Sequence, residues 1–152
     1  SPNAKSAIVD SLDVVILGAT EIDTSFNVNV HTDSNGYIMG GSGGHSDAAA
    51  GSKLCMVIAP LVRARLPLIK DRVTCITTPG HTVDVLVTQR GIAVNPRRAD
   101  IKEALCAAGL PVVSIEELQK NAKITLVSST SIVEGGAHDV VVKDNTLDAK
   151  VK

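Results

Sequence analysis

Residues 40–51 read "GGSGGHSDAAAG", with four glycines and a serine directly ahead of a run of small residues. Glycine admits positive φ and lets a ligand reach the main chain with no Cβ in the way, while free N–H groups ahead of a helix attract negative charge. The chemistry expected at Gly40, Gly41, Ser42, Gly43 and Gly44 is therefore the holding of an anion, or of an oxygen that becomes one. The plainer reading is a tight turn that lets a strand and a helix pack closely. Neither nucleotide loop fits: position 46 is Ser where a GxGxxG beginning at Gly41 needs Gly, and no GxxxxGK[ST] can be drawn. The segment does fit GxSxG, the nucleophile elbow of serine hydrolases, with Asp84 or Asp139 and His138 as the later acid and base. A glycine-saturated stretch meets that pattern by chance, and the chain is short for that fold.

Around the loop stand other groups with chemical capacity. His45 and Asp47 flank its exit, where they either contact a ligand or cap the helix and face solvent. Arg63 and Arg65, with Arg97 and Arg98, can clamp a carboxylate or phosphate through bidentate bonds, or serve as solvated surface cations. His31, His45, His81 and His138 show no HExxH spacing, so no metal site is expected. Cys55, Cys75 and Cys106 are odd in number and lie in apolar surroundings. They read as buried thiols of a reducing cytoplasm, with no disulfide framework.

These groups need elements to position them. "LDVVILGA" (12–19) reads as a buried strand, and "FNVNVHT" (26–32) turns through "DSNG" into "YIM" like a hairpin. If 26–32 is a strand, Asn27 and Asn29 share one face, where their amides hold a carboxylate or line the wet face of an edge. "SDAAAGSK" reads as a helix with Ser46 as N-cap, followed by a buried strand "LCMVIA". Short β segments follow at 72–77, 83–88 and 91–95. Residues 98–109 carry apolar positions at i, i+3, i+4, i+7 and end in Gly109, and "SIEELQKNA" opens with the capping box Ser114–Glu117. The last thirty residues read as two strands joined across Glu134-Gly135-Gly136, or partly as a tail. The fold expected is a mixed α/β domain, in which ligands sit at strand-to-helix loops on one sheet edge.

At 152 residues with 44% hydrophobic content, one globular core is affordable; a net charge of −1 with one Phe and one Tyr offers no base-stacking platform, so nucleic acid is not expected. The apolar run at 54–62 is far shorter than the roughly 20 residues that span a bilayer, so no membrane partner is expected.

Six collinear stretches, "LDVVILGATEIDTSFNVNV", "GGSGGHSDAAAGS", "VIAPLVRARLP", "VDVLVT", "GIAVNPRR" and "GLPVVSIEEL", together resemble the C-terminal part of citrate lyase alpha subunits. The resemblance covers residues 10–120. It implies a CoA-transferase fold (NagB/RpiA-type), an open α/β sheet with flanking helices forming one half of a two-half subunit. Residues 1–120 are then the C-terminal CoA-transferase domain, with 121–152 as strands or tail.

The implied reaction replaces acetate by citrate on an acyl-carrier-protein thioester, through a glutamyl thioester. Its carrier is the prosthetic group of acyl carrier protein, or CoA, with no tightly bound cofactor. Implied partners are the acyl carrier (gamma) and lyase (beta) subunits and a missing N-terminal half, in a cytoplasmic oligomer. By the same resemblance Gly40 to Gly44 face the reacting thioester carbonyl; Asn27, Asn29, His45 and Asp47 are the substrate-binding candidates read from the residues themselves. The nucleophilic glutamate is expected upstream of Ser1; within the chain Glu21 is the nearest acidic candidate, and a capping or surface carboxylate is its plainer role. Glu134 in "EGG" follows the loop where the family's glutamate precedes it. The alternatives are another short-chain acid CoA-transferase or acyl-CoA hydrolase, and a non-catalytic anion-binding module.

Overall fold

The computed structural model describes residues 8–63, 65–134, 139–143 and 146–150, the helix beyond Thr125 and the last two segments as backbone elements alone. In chain order the strands are β1 (Val14–Leu17), β2 (Glu21–Asp23), β3 (Val28–Asn29), β4 (Leu54–Ile58), β5 (Val62–Arg63), β6 (Leu66–Pro67), β7 (Ile69–Lys70), β8 (Val85–Thr88), β9 (Gly91–Val94), β10 (Val112–Val113), β11 (Asp139–Lys143) and β12 (Thr146–Lys150). The helices are α1 (His45–Gly51), α2 (Ala99–Ala107) and α3 (Ile115–Glu134).

The main sheet runs β1-β4-β8-β9-β10. β1, β4 and β8 are mutually parallel, β9 turns back against β8, and β10 lies parallel to β9. A smaller sheet, β3-β2-β7, sits beside it. The mixed α/β architecture expected from the sequence is therefore present.

One face of the main sheet carries the core. Cys55, Val57, Leu86 and Ala93 are fully buried there, in one cluster with Ala49 of α1 and with Ile115, Leu118 and Ala122 of α3. The three α3 residues are spaced i, i+3, i+7, which puts them on one stripe of the helix. Burial pushes the Cys55 thiol up to about 11, with the nearby Asp84 carboxylate adding to the shift. The expectation of a buried strand at 12–19 holds on this side alone: Val15 and Leu17 pack on the core, whereas Val14 and Ile16 point outward.

Local signals account for several elements. α2 ends in Gly109 at φ 73°, where the Leu110 amide reaches back to the Leu105 carbonyl and the Gly109 amide to that of Cys106. This is the Schellman arrangement that a glycine beyond a helix permits. The Glu117 amide donates to Ser114 Oγ at 3.1 Å, so the expected cap opens α3. Asp33 Oδ1 accepts from the amides of Asn35 and Tyr37, each at 2.9 Å, and Gly36 at φ 88° completes the turn expected at "DSNG".

Three expectations are corrected. Residues 72–77 form no strand. Ser46 is not the cap of α1, since Gly44 holds that position and the Ser46 hydroxyl donates instead to the Thr77 carbonyl at 2.6 Å. Residues 123–134, expected as strand or tail, continue α3, and the strand pair lies further on as the antiparallel β11–β12. Gly135, Gly136 and His138 lie outside the described residues. Among the described residues no helix is long and apolar enough to cross a membrane.

Candidate functional site

Gly40 to Gly44 connect the 31–39 turn to α1 along the surface. Gly40, Gly41, Gly43 and Gly44 are exposed, and a Cβ added to any of them would meet nothing within 4 Å. Gly43 alone needs its lack of side chain for conformation, at φ 56°. Among the described residues, none of the five amides from Gly40 to Gly44 donates a hydrogen bond; the Ser42 and Gly44 carbonyls accept from His45 and Ala48. Five consecutive donors are therefore open to an external acceptor.

The end of this bare segment is held firmly. His45 Nε2 lies 2.9 Å from the Gly18 carbonyl, at the tip of β1, and Nδ1 lies 2.7 Å from Thr78 Oγ1. A carbonyl only accepts, so Nε2–H donates to Gly18, and Nδ1 shares the second hydrogen bond with the Thr78 hydroxyl. Thr78 is in turn bridged to Val28 of β3. The neighbouring Thr77 hydroxyl meets His31 Nδ1 at 3.0 Å and accepts from the Val30 amide. Thus Thr77 and Thr78 tie the loop, the His31 segment and β1 together. His45 acts as a brace, and Asp47 is exposed in the first turn of α1.

Asn27 and Asn29 hold carboxylates, but those of this chain. Asn29 is fully buried; its Nδ2 donates to Glu21 Oε2 at 3.0 Å and to Thr32 Oγ1 at 2.8 Å, and its Oδ1 accepts from the amides of His31 and Thr32. Asn27 Nδ2 donates to Asp23 Oδ2 at 3.1 Å, and its Oδ1 accepts from the Gly80 amide at 2.9 Å. Only Asn29 belongs to the short strand β3, so the two do not share a face of one strand.

Glu21 is 2% exposed. Burial pushes its carboxyl up, but hydrogen bonds from Asn29, the Thr74 amide and Ser34 more than offset this and leave it below its ordinary value. The chain's own nearest acidic candidate is a charged pin inside the fold that joins β2 to the 30s and 70s segments.

Beside Met39, the residue before Gly40, a depression of about 340 Å³ is lined by Ser34, Asn35, Arg63 and Leu66 among others. Arg63 is exposed, and its guanidinium makes no hydrogen bond or ion pair among the described residues. Arg65 follows it at φ 62° in the β5–β6 turn. Arg97 and Arg98 are committed elsewhere: both reach Asp84 Oδ1, at 2.6 and 3.0 Å, and Arg98 also pairs with Asp100 at 2.9 Å. The same Asp84 accepts from the Cys55 amide, so it is no free acid for a serine nucleophile. Sequence reasoning missed the Thr77–Thr78 pair; two adjacent hydroxyls at the end of the segment expected as a strand at 72–77 gave the only signal.

The sequence matches the family described as citrate lyase, alpha subunit (CitF), over residues 1–143. It is 54% identical over 124 residues to the citrate lyase alpha chain of Klebsiella pneumoniae, a match covering 82% of this chain and 24% of that one. The alpha subunit of citrate lyase from Streptococcus mutans, solved in complex with citrate, superposes with TM-score 0.80 at 47% identity, over 83% of this chain and 25% of that one. A RipA mutant structure matches with TM-score 0.54 at 24% identity, over 78% of this chain and 30% of that one, a likeness of fold alone. The chain thus spans about a quarter of the length of the curated relatives it matches. With a family match across 143 residues and the glycine loop inside it, the chain belongs to the citrate lyase alpha subunit family.

Proposed function

We propose that this chain is the part of a citrate lyase alpha subunit that supplies the oxyanion-binding loop of citrate CoA-transferase. The reaction exchanges acetate for citrate on acyl carrier protein: acetyl carrier plus citrate gives citryl carrier plus acetate. Attack of a carboxylate on a thioester places negative charge on the carbonyl oxygen. Preorganised amide donors lower the energy of that species. The observation that carries this reading is the row of five unbonded amides from Gly40 to Gly44, braced at one end by His45.

Several other assignments belong to the same reading. The sheet is one half of a NagB/RpiA-type subunit. The nucleophilic glutamate comes from the part of the subunit that this chain does not span, because Glu21 is buried and fully engaged in hydrogen bonding. Arg63, uncommitted on the rim of the depression next to Met39, is the cation placed to draw a substrate carboxylate toward the loop. His45 acts by holding the loop, and Asn27, Asn29 and Asp47 act through the frame around it. Acyl carrier protein and the lyase subunit are the partners, its prosthetic group or CoA is the thioester carrier, and a reducing cytoplasm suits the three free cysteines.

Gly41→Val tests the reading in a full-length subunit carrying this sequence. Gly41 has neither positive φ nor neighbours around its Cβ position, so valine can be accommodated without a clash. Its side chain would shield the amides. Loss of one oxyanion donor costs about 3 kcal/mol, roughly 100-fold in rate. The expected result is a transfer rate, read by the mass of the acyl carrier product, lowered at least that far with an unchanged melting temperature. Full transfer activity overturns the proposal.

A further inference from the structure

Both ends of the glycine loop are fastened to the same two neighbouring residues. At the near end the Met39 amide donates to the His31 carbonyl at 2.8 Å, and His31 Nδ1 meets the Thr77 hydroxyl at 3.0 Å. At the far end His45 Nδ1 lies 2.7 Å from Thr78 Oγ1, and the Ser46 hydroxyl donates to the Thr77 carbonyl at 2.6 Å. Adjacent Cα atoms stand about 3.8 Å apart across a trans peptide, so the two fastenings keep a fixed, short offset. The bar that carries them is itself held by backbone. The fully buried Val28 of β3 accepts the amides of Thr77 and Thr78 at 2.9 and 3.1 Å and gives its own amide to the Thr78 carbonyl at 2.9 Å. Two residues on, Gly80 lies so close to the 25–27 turn that an added Cβ would overlap the Ser25 carbonyl oxygen. The fully buried Thr78 hydroxyl takes no part in these backbone ties; its partners are His45 and, at 3.4 Å, Ser46, both at the exit of the loop. A buried hydroxyl costs stability unless it is bonded, and among the described residues this one is bonded only toward the loop.

We infer that Thr77 and Thr78 are positioning residues for the transfer reaction, two neighbouring pins that fix the separation of the loop's ends and so the aim of its amides. The inference rests on the oxyanion reading of Gly40 to Gly44 and adds what holds those donors in place. A stretch of glycines has little conformational preference of its own, and an oxyanion site works only when its donors are already arranged before the charge develops. Closing the loop on one rigid bar supplies that arrangement. Neither threonine touches substrate in this account; each acts through a histidine at one end of the loop.

Thr78→Val, Thr78→Ser, Gly41→Val and the double variant Thr78→Val/Gly41→Val are made in a full-length subunit carrying this sequence, and transfer from acetyl carrier to citrate is followed by the mass of the carrier product. Thr78→Val should lower kcat at least about tenfold, the scale on which misplaced groups lose rate, with KM for citrate and for the carrier within about twofold of the parent. Thr78→Ser restores the hydroxyl and should keep kcat within about threefold of the parent. Because the threonine acts through the loop, Thr78→Val added to Gly41→Val should cost less than about threefold more. A parental kcat for Thr78→Val, a Thr78→Ser as slow as Thr78→Val, or a full multiplication of the two losses in the double variant overturns the inference. A fully active Gly41→Val fells the oxyanion reading and this inference with it, whereas a crippled Gly41→Val beside a Thr78→Val of parental kcat overturns this inference alone. Should Thr78→Val not fold, Ser46→Ala decides, at a half-buried position in the first turn of α1 that suits alanine. It removes the tie to the Thr77 carbonyl and should lower kcat at least about threefold with KM unchanged, and a parental kcat overturns the inference.

Discussion

The polar cluster around Glu21 and the glycine loop are joined by the 31–39 turn, yet they treat their hydrogen-bonding groups in opposite ways. Around Glu21, a buried carboxylate, a buried amide and the amides of His31, Thr32 and Thr74 are matched one to another. Along Gly40 to Gly44 no amide is matched among the described residues. A buried polar group left alone costs about 1–3 kcal/mol, so the first region must be complete for the fold to exist. An exposed amide is solvated by water and costs nothing to leave open until a ligand takes it. Asn27 and Asn29, which the sequence offers as a substrate clamp, thus belong to the scaffold, and the unmatched donors lie in a segment that is all glycine but for Ser42.

The comparison can be broken by substitutions on each side. The largest effect is expected from Asn29→Leu, which strips partners from the Glu21 carboxylate and from two backbone amides at once. Stability in urea should fall by about 4 kcal/mol. A loss below about 1 kcal/mol would mean that water or a shifted neighbour replaces the amide.

Next comes a pair of glycines. At Gly80 an added Cβ would stand 1.9 Å from the Ser25 carbonyl oxygen and 2.9 Å from the Asn27 amide nitrogen, both backbone atoms. Gly80→Ala should therefore cost about 3 kcal/mol, while Gly41→Ala should stay within about 0.5 kcal/mol of the parent. Equal melting temperatures for the two variants would erase the distinction between scaffold and loop.

The smallest effect is one of pH. The Glu21 carboxyl titrates below its ordinary 4.5 in the folded chain, so it stabilises the fold above that pH and the contribution is lost as pH falls through the lower folded value. Thermal melts taken below about pH 5 should show a shallower acid decline for Glu21→Gln than for the parent. An identical slope would mean that Glu21 is not the charged pin described above.

The sequence disclosed most clearly what is decided locally. The stop of α2 at Gly109, the Ser114 cap and the Asp33–Gly36 turn each depend on residues within a few positions of one another. The β8–β9 pairing could also be read, because its strands are separated only by Gln89-Arg90. The segment 123–134 could not, since its Ile, Thr and Val content suits a strand while the preceding turns of α3 carry it on as helix. The candidate site divides in the same way. Its glycines were evident from composition, whereas the roles of Asn27 and His45 depend on Gly80, Gly18 and Thr78, 53, 27 and 33 residues away.

Asp84 has a consequence for ionic strength. Its carboxylate is 2% exposed and receives Arg97, Arg98 and the Cys55 amide, while the Lys53–Asp13 pair stands with both side chains at least three-quarters in water. Dissolved ions screen charges beyond about 10 Å at 0.1 M and reach buried groups poorly. Brine should therefore loosen the Lys53–Asp13 pair and leave the Asp84 clasp closed, so that the start of α2 stays locked to β4 when the weaker ties of the surface have dissolved.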